Sequence, residues 1–185
     1  MDLGFRMHAE RTPNPNSIKW VMGKRIVEGT ASASFEARPA RDVSPLAHEL
    51  FSVDGVVAVF FAANFATVSK REESEWVDLA QPIVDVLKSH LGSGEPALGP
   101  GYQAVVAEAG GVLVQRIRRV LDDEIRPAVA RDGGDIVFVG FHEGVVELQM
   151  RGACSGCPSA AATLKMAVES RLREEIPEVR EVVAV

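Results

Sequence analysis

GSGEPALGPGYQ, residues 92–103, places four glycines and two prolines in twelve positions. Glycine loses the most backbone freedom on ordering and proline has no N–H to donate, so this composition sustains neither a helix nor a strand. It reads as a flexible linker, taken here over residues 93–110. The chain of 185 residues then divides into two small domains, 1–92 and 111–185, instead of forming one large one.

Working outward toward the N-terminus, Trp76, Leu79, Ile83, Val84 and Leu87 recur at helical spacing between Glu73 and Leu91. VVAVFF and FATVSK read as two strands separated by a turn around Asn64. Ser44 followed by Pro45 is an N-cap and first-turn pair, so SPLAHELF begins a short helix. GTASASFEARPARDVS, residues 29–44, is weakly patterned and reads mostly as loop. Ile18, Trp20 and Met22 alternate with Lys19 and Val21 as in a strand, behind the turn-forming TPNPNS of residues 12–17. These elements make a small α+β unit.

Toward the C-terminus, Leu113, Ile117, Leu121 and Ile125 line one face of a helix expected to stop near Pro127. RDGGD, residues 131–135, is a turn with flanking carboxylates. DIVFVGF and VVELQM form a hairpin around His142-Glu143-Gly144, and its second strand runs into RGACSGCPS. Leu164, Val168 and Leu172 stripe the helix that follows, and VREVVAV supplies a last strand. The order is helix, strand, strand, helix, strand, so this unit is also α+β.

Hydrophobic residues make up 46% and charged residues 25% of the chain, which fits packed domains and argues against wholesale disorder. A net charge of −6 opposes the attraction to phosphates on which nucleic-acid affinity depends. The start, MDLGFRMHAERTPNPNS, has no apolar region of the secretory kind. The longest apolar stretch, VVAVFFAANFATV at 56–68, is broken by Asn64 and is shorter than the ~20 residues of a membrane helix. A soluble, cytoplasmic protein without nucleic-acid or membrane partners is expected, its thiols kept reduced.

Cys154 and Cys157 are the only cysteines. Gly152 and Gly156 permit a tight loop, and Pro158 suits a first helical turn, so the pair is expected at a helix N-terminus. There the exposed N–H groups and the dipole favour thiolate, the form that binds metal and exchanges with disulfides. Four chemistries fit a lone CxxC. A structural zinc site needs four ligands, and this half of the chain offers no second CxxC and only His142 besides. A thiol–disulfide oxidoreductase shares the strand–CxxC–helix order, but Pro158 follows the second cysteine and a complete thioredoxin-like framework is missing. Two buried structural cysteines would suit an apolar strand better than a glycine-rich loop. An iron–sulfur cluster normally takes four thiolates, and a two-fold dimer of single CxxC loops supplies four.

The segments VLDDEIRPAVARDGGDIVFVGF and VVELQMRGACSGCPSAAATLKMAVESRLREEIPEV resemble the C-terminal domain of NifU and Nfu-type proteins. RTPNPNSIKW, GTASASF, SPLAHELFSVDGVVAVFFAANFATVSK and EWVDLAQPIVDVL resemble, in order, the Nfu N-terminal domain. The resemblance implies a non-enzymatic scaffold or carrier for an iron–sulfur cluster, usually described as 4Fe–4S. On it, Cys154 and Cys157 are the ligand pair, shared across a homodimer. Apo iron–sulfur proteins and an upstream cluster or sulfur donor are the implied partners, recognised through the N-terminal domain. Ala62-Ala63-Asn64 and Ala160 depart from the pattern without removing a ligand. RDGGD belongs to the pattern but reads as a turn and cap, and Arg151 beside the loop fits either a thiolate partner or a solvated side chain. The N-terminal half shows no paired carboxylates, and none of the scattered His8, His48, His90 and His142 is read as a ligand.

Overall fold

The structure, a computed structural model, describes residues 6–29, 31–102, 111–155 and 158–185, and of 158–160 the backbone only. The chain separates into two compact units, Met1–Ala104 and Val105–Val185. Both combine helices with a sheet, so the fold is α+β.

The first unit contains strands β1 (Met7–Arg11), β2 (Ser17–Met22) and β3 (Ser32–Phe35), helix α1 (Pro45–Leu50), strands β4 (Val56–Ala62) and β5 (Phe65–Lys70), and helix α2 (Trp76–Ser93). The strands form one antiparallel sheet in the order β1-β2-β5-β4-β3. Trp20, Met22, Val59, Phe61, Ala66 and Val68 from the sheet pack with Leu46 and Leu50 of α1 and Leu79, Ile83, Leu87 and Leu91 of α2. Each of the Val, Leu, Ile, Phe and Met side chains removed from water contributes about 1.5–3 kcal/mol before conformational entropy is charged against it. Helix α1 starts as its sequence requires: Ser44 is its N-cap, the hydroxyl accepts from the Ala47 amide at 3.1 Å, and Pro45 fills the first turn.

Two edge strands carry no clear sequence period. β3 lies in the stretch read as loop, because Ser32-Ala33-Ser34 is too small to show a hydrophobic alternation although Ser32 and Ala33 are buried. β1 is largely exposed and is held by pairing with β2. The β4–β5 turn puts Ala63 at φ 45, a left-handed conformation that suits glycine better, and Met22 and Asn64 tie that turn to β2.

The stretch read as a linker from residue 93 is packed over its described part. Ser93 closes α2, Gly94 caps it at φ 73, and the chain then lies along the approach to α1. Ser44 Oγ donates to the Ala97 carbonyl at 2.7 Å, and the Gly99 and Gly101 amides donate to Val43 O at 3.0 Å and Asp42 O at 2.9 Å. Tyr102 Oη donates to Ser32 O, and Ala97 is buried. Glycine and proline prevent helix and strand here, but they do not prevent an irregular segment from finding partners. Residues 103–110 of the expected linker lie outside the described residues.

The second unit opens with α3 (Val112–Val120), a π-helical turn (Leu121–Ile125) and α4 (Arg126–Arg131), followed by β6 (Gly134–His142), β7 (Val145–Gly152), α5 (Pro158–Glu175) and β8 (Glu181–Ala184). β6 and β7 form the expected antiparallel hairpin, with Glu143 and Gly144 at φ 49 and 84 in its turn, and β8 pairs parallel to β7. The helical run passes Pro127 and ends at Arg131 instead of stopping at the proline. The π turn changes the hydrogen-bond register, and Pro127 then sits in the opening turn of α4, where no N–H is needed. Ile117, Leu121, Ile136, Val146, Leu148, Val168, Leu172 and Ile176 close the core. Among the described residues no helix is long and apolar enough to cross a membrane.

Candidate functional site

β7 ends at Gly152, whose φ of 68 turns the chain out of the sheet. Ala153 is held by its amide donating to Gly133 O at 3.2 Å, and Ser155 closes the turn through both its amide and its hydroxyl on Gly152 O, at 3.1 and 2.8 Å. Cys154 lies between them, four residues ahead of α5. Cys157 and Gly156 lie outside the described residues.

Cys154 is 8% exposed and joins the core cluster of this unit. Its Sγ rests on the backbone of Gly134: a Cβ at that position would come within 2.5 Å of the sulfur and 2.8 Å of Arg151 O. Burial pushes the Cys154 thiol up to about 11, with the Asp132 and Asp135 carboxylates adding to the effect. The sequence led to the opposite expectation, an accessible thiolate at a helix N-terminus. The difference is one of position, since Cys154 lies in the turn that follows β7 and packs into the core.

RDGGD is the other wall of this site. Its turn falls at Asp132 and Gly133, the latter at φ 78, and Gly134 pairs with Gly152 at the head of the hairpin. Asp135 is buried and held by Arg126, Nε to Oδ1 at 2.7 Å and Nη2 to Oδ2 at 2.8 Å, while its Oδ1 also accepts the Ile136 amide at 2.9 Å. This two-pronged clamp ties α4 to β6 and fixes the glycine floor on which the sulfur sits. The adjacent glycines and flanking carboxylates were visible in the sequence as a turn; their contact with a cysteine twenty residues later was not. Arg151, the Cα partner of Asp135, sends Nε and Nη2 to Gln149 Oε1 at 3.1 and 2.9 Å.

Residues 117–183 match the family model described as NifU-like domain, and residues 7–94 match that described as scaffold protein Nfu/NifU N terminal. A Drosophila grimshawi protein named NFU1 iron-sulfur cluster scaffold homolog, mitochondrial, is 40% identical over 179 residues, which is 95% of this chain and 60% of that protein. The Drosophila persimilis protein of the same name is also 40% identical, over 95% of this chain and 64% of its own length. The chain thus spans under two thirds of these relatives. A solved NifU-like protein from Saccharomyces cerevisiae is 24% identical with a TM-score of 0.47, covering 52% of this chain and 86% of that one.

With an Nfu N-terminal domain followed by a NifU-like domain, the chain belongs to the Nfu-type family of NifU-like proteins. The cytoplasmic location expected from the sequence is overturned by the same relatives, which are named as mitochondrial. That expectation rested on the lack of a secretory apolar region, and mitochondrial transit segments are amphipathic and arginine-rich instead, so the criterion did not bear on them.

Proposed function

We propose that this chain is an iron–sulfur cluster scaffold or carrier that holds a transferable cluster, 4Fe–4S in type, through Cys154 and Cys157 at a homodimer interface and delivers it to apo-proteins. The observation that carries the reading is a single CxxC at the strand-to-helix junction of a domain matching the NifU-like family model. Two thiolates are half of the usual coordination shell, and a two-fold axis through the loop doubles them. The cluster is cargo here, so function lies in ligand exchange at iron, without bond-making chemistry on a small substrate. In this reading residues 1–92 recognise clients or an upstream donor, and residues 111–185 hold the cluster.

The burial of Cys154 gives loading a first step within the protein. A protonated, 8% exposed thiol has to leave its Gly134 floor and lose its proton before it can ligate iron. The same shelter slows oxidation of the empty carrier, because the thiolate is the reactive form.

Burial also favours a second reading, in which Cys154 is a core side chain and nothing more. Anaerobic reconstitution of the full chain with ferrous iron and sulfide separates the two. The expected result is iron and acid-labile sulfide in cluster proportion, one cluster per two chains by native mass, lost in Cys154→Ala with the fold retained. Full iron content in Cys154→Ala establishes the core reading, a reversible disulfide without sulfide uptake indicates an oxidoreductase, and stoichiometric zinc without sulfide indicates a zinc module.

A further inference from the structure

The first unit gathers a second group of ligand-type side chains that has no part in the cysteine loop. Glu49 lies in α1, His90 in the last turn of α2, and Glu95 in the packed segment beyond it. One carboxylate oxygen from each glutamate and one imidazole nitrogen lie within 4.8 Å of one another. His90 is only 3% exposed, and neither of its ring nitrogens has a hydrogen-bond partner. Nδ1 faces Glu49 Oε2 at 3.5 Å, too long for a good hydrogen bond. Buried polar side-chain atoms are nearly always satisfied, so a buried imidazole with neither nitrogen bonded, and with Nδ1 facing a carboxylate, calls for a partner.

A cation already bridges the carboxylates. Arg41 places Nη1 3.0 Å from Glu49 Oε1 and Nη2 2.7 Å from Glu95 Oε2. Its side chain is 53% exposed, and ion pairs so open to water contribute little net stability. The guanidinium is therefore a weak competitor for the two glutamates, and its bonds go to Glu49 and Glu95 and not to the His90 ring.

We propose that Glu49, His90 and Glu95 form a site for a divalent first-row transition ion, of which Zn²⁺ is the representative, and that binding displaces Arg41 from the carboxylates. One imidazole and two carboxylates match the nitrogen and oxygen donors such ions take, leaving at least one position for water. Ligand distances of ~2.0–2.2 Å require the present spread to contract, which rotation of two glutamates at the edge of the unit permits. Mg²⁺ and Ca²⁺ prefer all-oxygen shells and would leave the imidazole idle.

The test uses the full chain, kept reduced, with Co²⁺ followed by visible absorption and Zn²⁺ by calorimetry. The expected Co²⁺ spectrum shows d–d bands that persist in Cys154→Ala, which assigns them to nitrogen and oxygen ligands. Glu95→Gln weakens this binding at least about tenfold, the least that loss of a direct ligand should cost, whereas Arg41→Met tightens it by removing the competitor. His90→Gln abolishes it, and should that variant fold poorly, the opposite responses of Glu95→Gln and Arg41→Met decide alone. Mg²⁺ at equal concentration produces no saturable signal. Binding that is absent, that is unchanged in Glu95→Gln, or that weakens in Arg41→Met overturns the site and leaves an arginine-bridged structural network.

Discussion

Gly134 governs what Cys154 can do. The sulfur occupies the place a side chain would take, with Arg151 O closing the other side at 2.8 Å from a would-be Cβ. Gly134→Ala therefore has to push the thiol out or part the head of the β6–β7 hairpin. The expected cost is about 1–3 kcal/mol, the range for overpacking a closed site, read as a lowered unfolding midpoint. Alkylation of Cys154 should become faster at the same time, because the thiol loses its shelter. Equal stability and equal alkylation in the variant would show that the sulfur has room elsewhere. At this scale the site was half legible. Two cysteines in one four-residue window stand out in any sequence, and so does RDGGD. What no local pattern records is that a glycine twenty positions upstream makes the floor under the first thiol, or that Arg126 and Asp135 clamp that floor in place. Glu49, His90 and Glu95 were hidden for the same reason: they come from two helices and a loop, and a scan for adjacent carboxylates or spaced histidines passes over them.

At the level of elements, legibility followed the strength of the local signal. α1 was readable from Ser44 and Pro45 alone, and the two hairpins from apolar runs separated by a turn, since both signals act within a few residues. Edge strands β1 and β3 were not readable, because their place in the sheet comes from partners across the ladder and their own side chains are exposed or small. The end of the first helix of the second unit was misplaced at Pro127 because a π turn lets the helical run absorb a missing donor. Ser44 joins the local and tertiary scales. Its hydroxyl caps α1 through the Ala47 amide and also donates to Ala97 O, and the residue is fully buried. Ser44→Ala should cost about 1–3 kcal/mol, since it removes a cap and leaves a buried carbonyl without its donor. Thermal or urea unfolding of the first unit measures this. A loss below a few tenths of a kcal/mol would mean that water replaces the hydroxyl at both bonds.

For the molecule as a whole, the question is where the first folded unit stops. Composition placed that end at residue 92, and the hydrogen bonds of Ala97, Gly99, Gly101 and Tyr102 carry it through Tyr102. Glycine is what makes the extension possible: a Cβ on Gly99 would come 2.9 Å from the carbonyl carbon of Asp42 and still closer to its oxygen, so the segment can lie this near the backbone only without a side chain. The same residue type that argued for a linker is thus used for close approach. Gly99→Ala should detach the segment, because the atoms it meets belong to backbone and cannot swing aside. Amide exchange supplies the measurement. In the parent chain the Gly99 and Gly101 amides, donated to Val43 O and Asp42 O, should exchange slowly, and proteases should spare residues 94–102. In the variant, exchange at residue 101 should approach that of an unprotected amide, and new cuts should appear within the segment. Ser44 should feel the change too, because Ala97 O leaves with the strap, so Gly99→Ala combined with Ser44→Ala should destabilise by less than the sum of the two single losses. If the two losses simply add, or if Gly101 exchanges freely in the parent chain, the strap contributes nothing to the unit and its end returns to residue 92.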